Sequence, residues 1–186
     1  MPPNFSPIRG AQGLQMSNPS ALGVTALLGS LRVFKEAGMI GPLRERSVQL
    51  TGHLEGLLVR SAYFVPPHEA AVKLPLSVCS TDSAQYHRPA FTIVTPTAAN
   101  SRGSQLSLLF FSSDTELMQK VHERLSSYGV VADERRPDVI RLAPIALYNT
   151  IQDCENAAKY LEDVLKELDN SGGVRATAPL EGTPNT

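Results

Sequence analysis

Tryptophan is absent from the 186 residues, cysteine occurs twice, histidine four times, and the charges nearly cancel at a formal net −1. Each shortage removes a class of function. A balance so close to zero, with no basic stripe and no interleaving of aromatic and basic residues, offers nothing to nucleic acid or to an anionic membrane surface. Cys79, in a polar stretch, and Cys154, in a helical one, have neither metal-ligand spacing nor the number that a disulfide framework needs, which points to a reducing compartment. His53, His68, His87 and His122 are too scattered for a metal pair and read as solvated or structural side chains, so no metal site is expected. No nucleophile elbow, Walker loop or zinc-protease motif is present. Long apolar runs are missing too: Ala21 to Phe34, the most apolar stretch, is interrupted by Arg32 and is too short to span a bilayer. The opening MPPNFSPIRG has neither the apolar core of a secretory signal nor the pattern of a transit peptide. The Asn4-Phe5-Ser6 sequon is therefore expected to be unused and the chain cytoplasmic.

The remaining residues are enough to bury one good core. Residues 1 to 16, with Pro2, Pro3, Pro7, Gly10 and Gly13, read as an extended lead-in without a strand or helix. Ser17 or Asn18 can then cap a helix whose first turn suits Pro19, with Val24, Leu27, Leu28, Leu31 and Phe34 at helical spacing and Gly38 as its stop. A second helix is predicted from about Pro42 to Ser61, with Leu43, Leu50, Leu54, Leu57 and Leu58 as its stripe, so that the two form an antiparallel hairpin. Periodicity is lost between residues 63 and 90, which read as a long variable surface loop. FTIVTP at 91 to 96 and SQLSLLFF at 104 to 111 read as strands. Ser113 and Glu116 form a capping box for a helix burying Leu117, Met118, Val121 and Leu125, which Gly129 ends. Val130 and Val131 begin a short strand, ERRPD turns, VIRLAP is a further strand, and Ile151 to Leu168 is a last helix with Ala158, Leu161, Leu165 and Leu168 inward. From 169 the Gly-, Pro- and Thr-rich tail is predicted to be disordered. The sum is an α/β or α+β domain over 17 to 168, a small antiparallel or mixed sheet with helices on one side, preceded by the helical hairpin.

Two places could carry chemistry. In VIRLAP, alternation puts Ile140 and Leu142 on one face and Val139, Arg141 and Ala143 on the other, so a charge sits mid-strand among apolar neighbours. Arg141 is either an edge-strand arginine reaching water or a planar fork held on a rigid strand to take a carboxylate. After Pro144 ends the strand, Asn149 and Gln152 form a capping box for the last helix. The second place is GAQGLQMSNPS, residues 10 to 20, where two glycines precede polar residues at a helix N-terminus. Such an end is either a plain capped helix or a site for an anion.

In combination and in this order, FSPIRGAQGLQMSNPS, SLRVFKEAG, LRERSVQLTGHLE, RGSQLSLLF, YGVVADERRPDVIRLAPIALYN and the final helix resemble the C-terminal part of kynureninases, fold-type I enzymes that depend on pyridoxal phosphate. The matching stretches cover most of residues 5 to 168; the 63 to 90 loop departs from the pattern, and Ser104 stands where a cysteine is common. The resemblance implies that Arg141 binds the substrate α-carboxylate and that Ser17 and Asn18 lie at the substrate and cofactor pocket, reaching the site of a dimer mate. It implies hydrolysis of kynurenine or 3-hydroxykynurenine between Cβ and Cγ, giving alanine and an anthranilate, a step of tryptophan catabolism and NAD biosynthesis. None of Lys35, Lys73, Lys120, Lys159 and Lys166 is placed to be the family's Schiff-base lysine, and the aromatic residue that the family sets near the cofactor has no counterpart in a chain without tryptophan. The expectation is a portion that contributes no catalytic residue of its own, holds no cofactor covalently and is inactive alone, its partner being a large domain or a second copy. The competing reading is a non-catalytic dimerisation or carboxylate-binding remnant. A class V aminotransferase or cysteine desulfurase domain fits less well, because SNPS and APIALYN argue against it.

Overall fold

The structure, a computed structural model, describes residues 6–15, 17–73 and 88–173. It divides into two compact units, Met1–Leu43 and Arg44–Thr186.

In the first unit the lead-in is not wholly irregular, since Ala11–Leu14 makes one 3-10 turn after Gly10, which takes φ 86°. Helix α1 runs over Ala21–Glu36, and its cap is Ser20, whose hydroxyl accepts the Gly23 N–H at 3.3 Å. Ser17 and Asn18 therefore do not cap it, and Pro19 precedes the helix instead of opening it. The reason is local: Ser20 is the last residue with extended backbone, so it is the one whose side chain can turn back onto a free N–H. The predicted apolar face of α1 is present but not buried, for Val24, Leu27, Leu28 and Leu31 are exposed and Phe34 is only partly covered. The helix ends in a turn where Gly38 and Met39 both take positive φ, 85° and 67°.

Helix α2, Ile40–Leu58, enters the second unit at Arg44 and buries Ser47, Leu50, Thr51, Leu54 and Leu58. Segment 63 to 73, expected to belong to a loop, is ordered. Tyr63 is buried, Phe64 forms a parallel bridge to Phe91, and α3 spans Pro67–Lys73. Aromatic and apolar residues at 63 to 65 carry no period because each meets a different neighbour, and pattern reading misses such a segment. The remainder of that predicted loop, 74 to 87, lies outside the described residues, as does the tail beyond 173.

Four strands follow: β1 (Ala90–Ile93), β2 (Leu106–Phe111), β3 (Asp133–Arg135) and β4 (Val139–Leu142). They form one antiparallel sheet in the order β1-β2-β4-β3. Val130 and Val131 precede β3 and are not part of it. Between the strands stands α4 (Leu117–Ser127), whose buried residues are the four expected, Leu117, Met118, Val121 and Leu125. The last helix, α5, covers Ile151–Gly173 and so continues through the first residues assigned to the tail.

One core joins α2, α4 and α5 to one sheet face, with Phe91, Leu106, Leu108, Ile140, Val121, Val164 and Leu165 inaccessible to solvent. Side chains alternate along strands, so every second residue of β2 and β4 points away from these helices. On that second face Ala90 and Phe111 pack with Ala70 of α3, a small patch at the β1 end that departs from the expectation of helices on one side only. Both sheet edges are blunted. The Tyr63–Val65 backbone covers β1 through Val65 N–H to Phe91 O (2.9 Å) and Phe91 N–H to Tyr63 O (3.0 Å), while β3 is three residues long and charged throughout.

Candidate functional site

On the second sheet face a polar row crosses three strands. Register places Ser107 of β2 opposite Arg141 of β4, and Arg141 opposite Asp133 of β3. Arg141 therefore lies on a strand paired on both sides, which removes the edge-strand reading; water reaches it from the open face, where its side chain is 30 % exposed.

Each member of the row is positioned by something on the core side or in the connecting loops. The loop that leads into β2 is tied to α2. Arg44 donates to the carbonyls of Ala99 and Arg102, Thr51 donates to the Ser104 carbonyl at 3.1 Å, and the Arg102 guanidinium, 6 % exposed, pairs with Glu55. These bonds anchor the approach to β2, and Ser107 is then fixed by its backbone N–H on Thr95 Oγ1 (2.8 Å) and by Gln105 Nε2 donating to its hydroxyl (3.0 Å). The β3 edge is held from the other side of the sheet, where His122 of α4 lies 3.6 Å from the Glu134 carboxylate through Nδ1 and 3.2 Å from the Ala132 carbonyl through Nε2.

The electrostatics of the row are unbalanced. Arg141 donates Nε to one oxygen of Asp133 and sets Nη2 in ion-pair contact with it, and Arg135 reaches the same oxygen with Nη2 at 3.2 Å. Two guanidinium groups thus share one carboxylate, leaving one positive charge uncompensated on an accessible face. Nη1 of Arg141 makes no hydrogen bond within the described residues. A guanidinium has a second edge, Nη1 with Nη2, whose spacing matches the two oxygens of a carboxylate. The arrangement can bind one further monoanion of that shape.

Of the residues singled out from sequence, Arg141 is on this face of the second unit, while Ser17 and Asn18 lie in the first unit, exposed and outside any helix or strand. Asp133 was missed. The predicted turn ERRPD centres one residue too early, whereas the observed hairpin centres on Pro137 and sets Asp133 and Arg141 at equal distances from it. Opposite charges equidistant from a proline were the available signal. The predicted Asn149 and Gln152 capping box is also displaced. Asn149 uses its side-chain oxygen to accept the Ile145 N–H at 2.8 Å, and the box is made by Thr150 and Asp153. Similarly Asp114, not Ser113 with Glu116, organises the start of α4, accepting the Glu116 N–H at 3.0 Å. A groove of about 640 Å3 between α5, Val130–Val131 and the Pro144–Asn149 turn does not include Arg141. Cys154 at its floor is a free thiol whose pKa burial pushes up, and among the described residues no group of acids, histidines and cysteines is arranged to hold a metal. No described helix is long and apolar enough to cross a membrane.

Comparison with known proteins identifies the family. Residues 68–161 match the family model described as the kynureninase C-terminal domain. Kynureninase of Yarrowia lipolytica is 44% identical over 167 residues, covering 90% of this chain and 36% of that protein. Kynureninase of Saccharomyces cerevisiae is 40% identical over 168 residues, 88% of this chain and 34% of that protein, and kynureninase 1 of Chaetomium globosum is 41% identical over 150 residues, 81% and 26%. The chain spans about a third of the length of such relatives. With a matched region that runs from α3 into α5 and contains the whole sheet and its Arg141 row, the chain belongs to the kynureninase family and corresponds to its C-terminal domain.

Proposed function

We propose that this chain supplies the substrate-carboxylate site of a pyridoxal phosphate-dependent kynureninase, with Arg141 as the binding residue. The substrates are kynurenine or 3-hydroxykynurenine, hydrolysed to alanine and an anthranilate. The observation that carries this reading is the pair of guanidinium groups on a single Asp133 oxygen, which leaves an open Arg141 edge and one uncompensated charge. A strand bonded on both sides gives that edge a fixed direction, and a fixed direction is what orienting an amino acid requires. Ser17 and Asn18 complete the reading as substrate and cofactor contacts, reaching a large domain or a dimer mate; both are exposed and outside any helix or strand, which leaves their side chains available.

The lysines whose side chains are described do not fit the cofactor. A Schiff-base lysine needs a desolvated amine of lowered pKa. Lys120 instead sits 2.8 Å from Asp114 and 3.4 Å from Glu116, and the hydrogen bond to Asp114 pushes its pKa up. Lys166 lies 3.6 Å from Glu162, and Lys35 and Lys159 are exposed on helices. The role assigned to this chain is therefore binding and orientation: Arg141 neutralises the α-carboxylate and pins one end of the substrate.

The test joins this chain in frame to the N-terminal region of the Yarrowia lipolytica enzyme, replacing the matched segment, and assays anthranilate release. The fusion is expected to turn over kynurenine, and the chain alone with added pyridoxal phosphate is not. Arg141→Lys exchanges a bidentate fork for a point charge, a loss of about 2 kcal/mol or roughly 30-fold in kcat/KM. A fusion with unchanged kcat/KM after that substitution ends the carboxylate role, and an inactive fusion that binds the cofactor favours the remnant reading.

A further inference from the structure

We infer that Asp133 is a positioning residue for the substrate carboxylate, an internal carboxylate that occupies one edge of the Arg141 guanidinium so that the other is presented to the ligand. This rests on the carboxylate-binding reading of Arg141.

An arginine side chain has four rotatable bonds before its planar head, and an unpaired one samples many directions. Here the head is caught at Nε and Nη2 by one oxygen of the residue directly across the hairpin. Holding Nε and Nη2 against one oxygen sets the plane of the whole group, because the guanidinium is rigid. The Nη1–Nη2 edge is then aimed without further contacts. Asp133 can be that anchor because it is itself positioned independently. Its strand is hydrogen-bonded into the register with β4, and the next residue, Glu134, is engaged on the opposite face by His122 and by Arg136 at 3.2 Å.

A second carboxylate brought beside Asp133 would be repelled if Asp133 were paired with Arg141 alone. Arg135 removes that objection, since its contact at 3.2 Å supplies a second positive charge on Asp133. One external monoanion would balance the row. Substrates with an α-carboxylate are favoured over neutral derivatives by a geometry that Arg141 alone does not enforce.

The experiment uses the active fusion and compares L-kynurenine with its methyl ester, which lacks the anionic carboxylate, reading the ratio of their apparent affinities together with kcat and KM. Asp133→Ala should raise KM for L-kynurenine about tenfold, lower kcat much less, and shrink the acid-over-ester preference about tenfold, as expected when orientation for binding is lost. Asp133→Asn, which retains an acceptor oxygen in the same place, should recover most of that preference. Circular dichroism checks folding; if the alanine variant does not fold, Asp133→Thr, with a better strand former on the β3 edge, takes its place. An acid-over-ester preference that survives loss of Asp133, or a lower KM for L-kynurenine, overturns the inference, the latter because Asp133 would then be a competitor for Arg141. Failure of the underlying reading looks different: there Arg141→Lys itself leaves the preference intact.

Discussion

Asp153 shows how a single side chain at the start of α5 couples folding to pH. Its carboxylate accepts the Thr150 N–H at 2.8 Å and the Thr150 hydroxyl at 3.0 Å, while its own N–H donates back to that hydroxyl at 3.2 Å. The backbone bond from Thr150, followed by the hydroxyl, holds its pKa below the ordinary 3.8. A carboxylate whose folded pKa is depressed adds stability that is present above the unfolded value and is lost as pH falls through the folded one. Asp153→Asn is accordingly expected to melt below the parent at pH 7, with the gap closing as the pH drops below 3.8. Thermal melts of both chains at pH 7, 5 and 3 check this, and a gap independent of pH would assign the box to shape alone. The same residue explains the misplaced cap. Asn149 and Thr150 are both competent caps, and the choice is decided by which has an acid three positions on and which is already committed to the preceding turn, a comparison that propensity alone does not rank.

Legibility at the level of elements follows periodicity. The stripe of α4 was readable residue by residue because the helix is short and strongly amphipathic, with a single stripe of four buried residues, and β2 and β4 were readable from alternation. Helix α5 was readable in position but only partly in its face: Leu161 and Leu165 are buried as expected, whereas Cys154 and Val164 are buried beside them and Ala158 and Leu168 only partly. The helix packs on α2 and α4 as well as the sheet, so its dry side is wider than one stripe. What could not be read was anything set by a partner far along the chain. The order β1-β2-β4-β3 makes Arg141 central, and that depends on β3 being a strand at all, which three charged residues conceal. The ordering of 63 to 73 depends likewise on Phe91. These packing relations predict that α5 is a principal stabiliser of the second unit. Leu165, inaccessible to solvent, should cost about 3 kcal/mol when cut to alanine, through lost transfer energy and a cavity. Urea unfolding of the full chain checks it, and a loss under about 1 kcal/mol would mean that the site collapses around the smaller side chain.

At the scale of the whole molecule, the contrast is between a second unit with a closed core and a first unit whose helix has an apolar face and no buried residue. Leu27 is 58% exposed, Leu28 52%, Leu31 48% and Val24 44%, on a helix whose spacing sets these side chains close together. A contiguous apolar patch of this kind is uncommon on a protein that stays monomeric, since burying it returns about 25 cal/mol for each square ångström removed from water. The chain on its own is therefore expected to self-associate as concentration rises and to bind an apolar dye, and both properties belong to α1, not to the Arg141 face, which is polar. Leu27→Lys with Leu31→Lys places two charges in the middle of the patch while keeping good helix formers at both positions. Sedimentation velocity should then shift towards a monomer and dye fluorescence should fall, with the circular dichroism of the sheet and helices unchanged. If association persists at the parent's level, the sticky surface lies elsewhere, and the groove lined by Tyr128, Tyr148 and Tyr160 becomes the surface to alter next. If it disappears, the Arg141 row can be studied in the isolated chain at concentrations where a weakly bound carboxylate is visible, because the two surfaces are chemically independent.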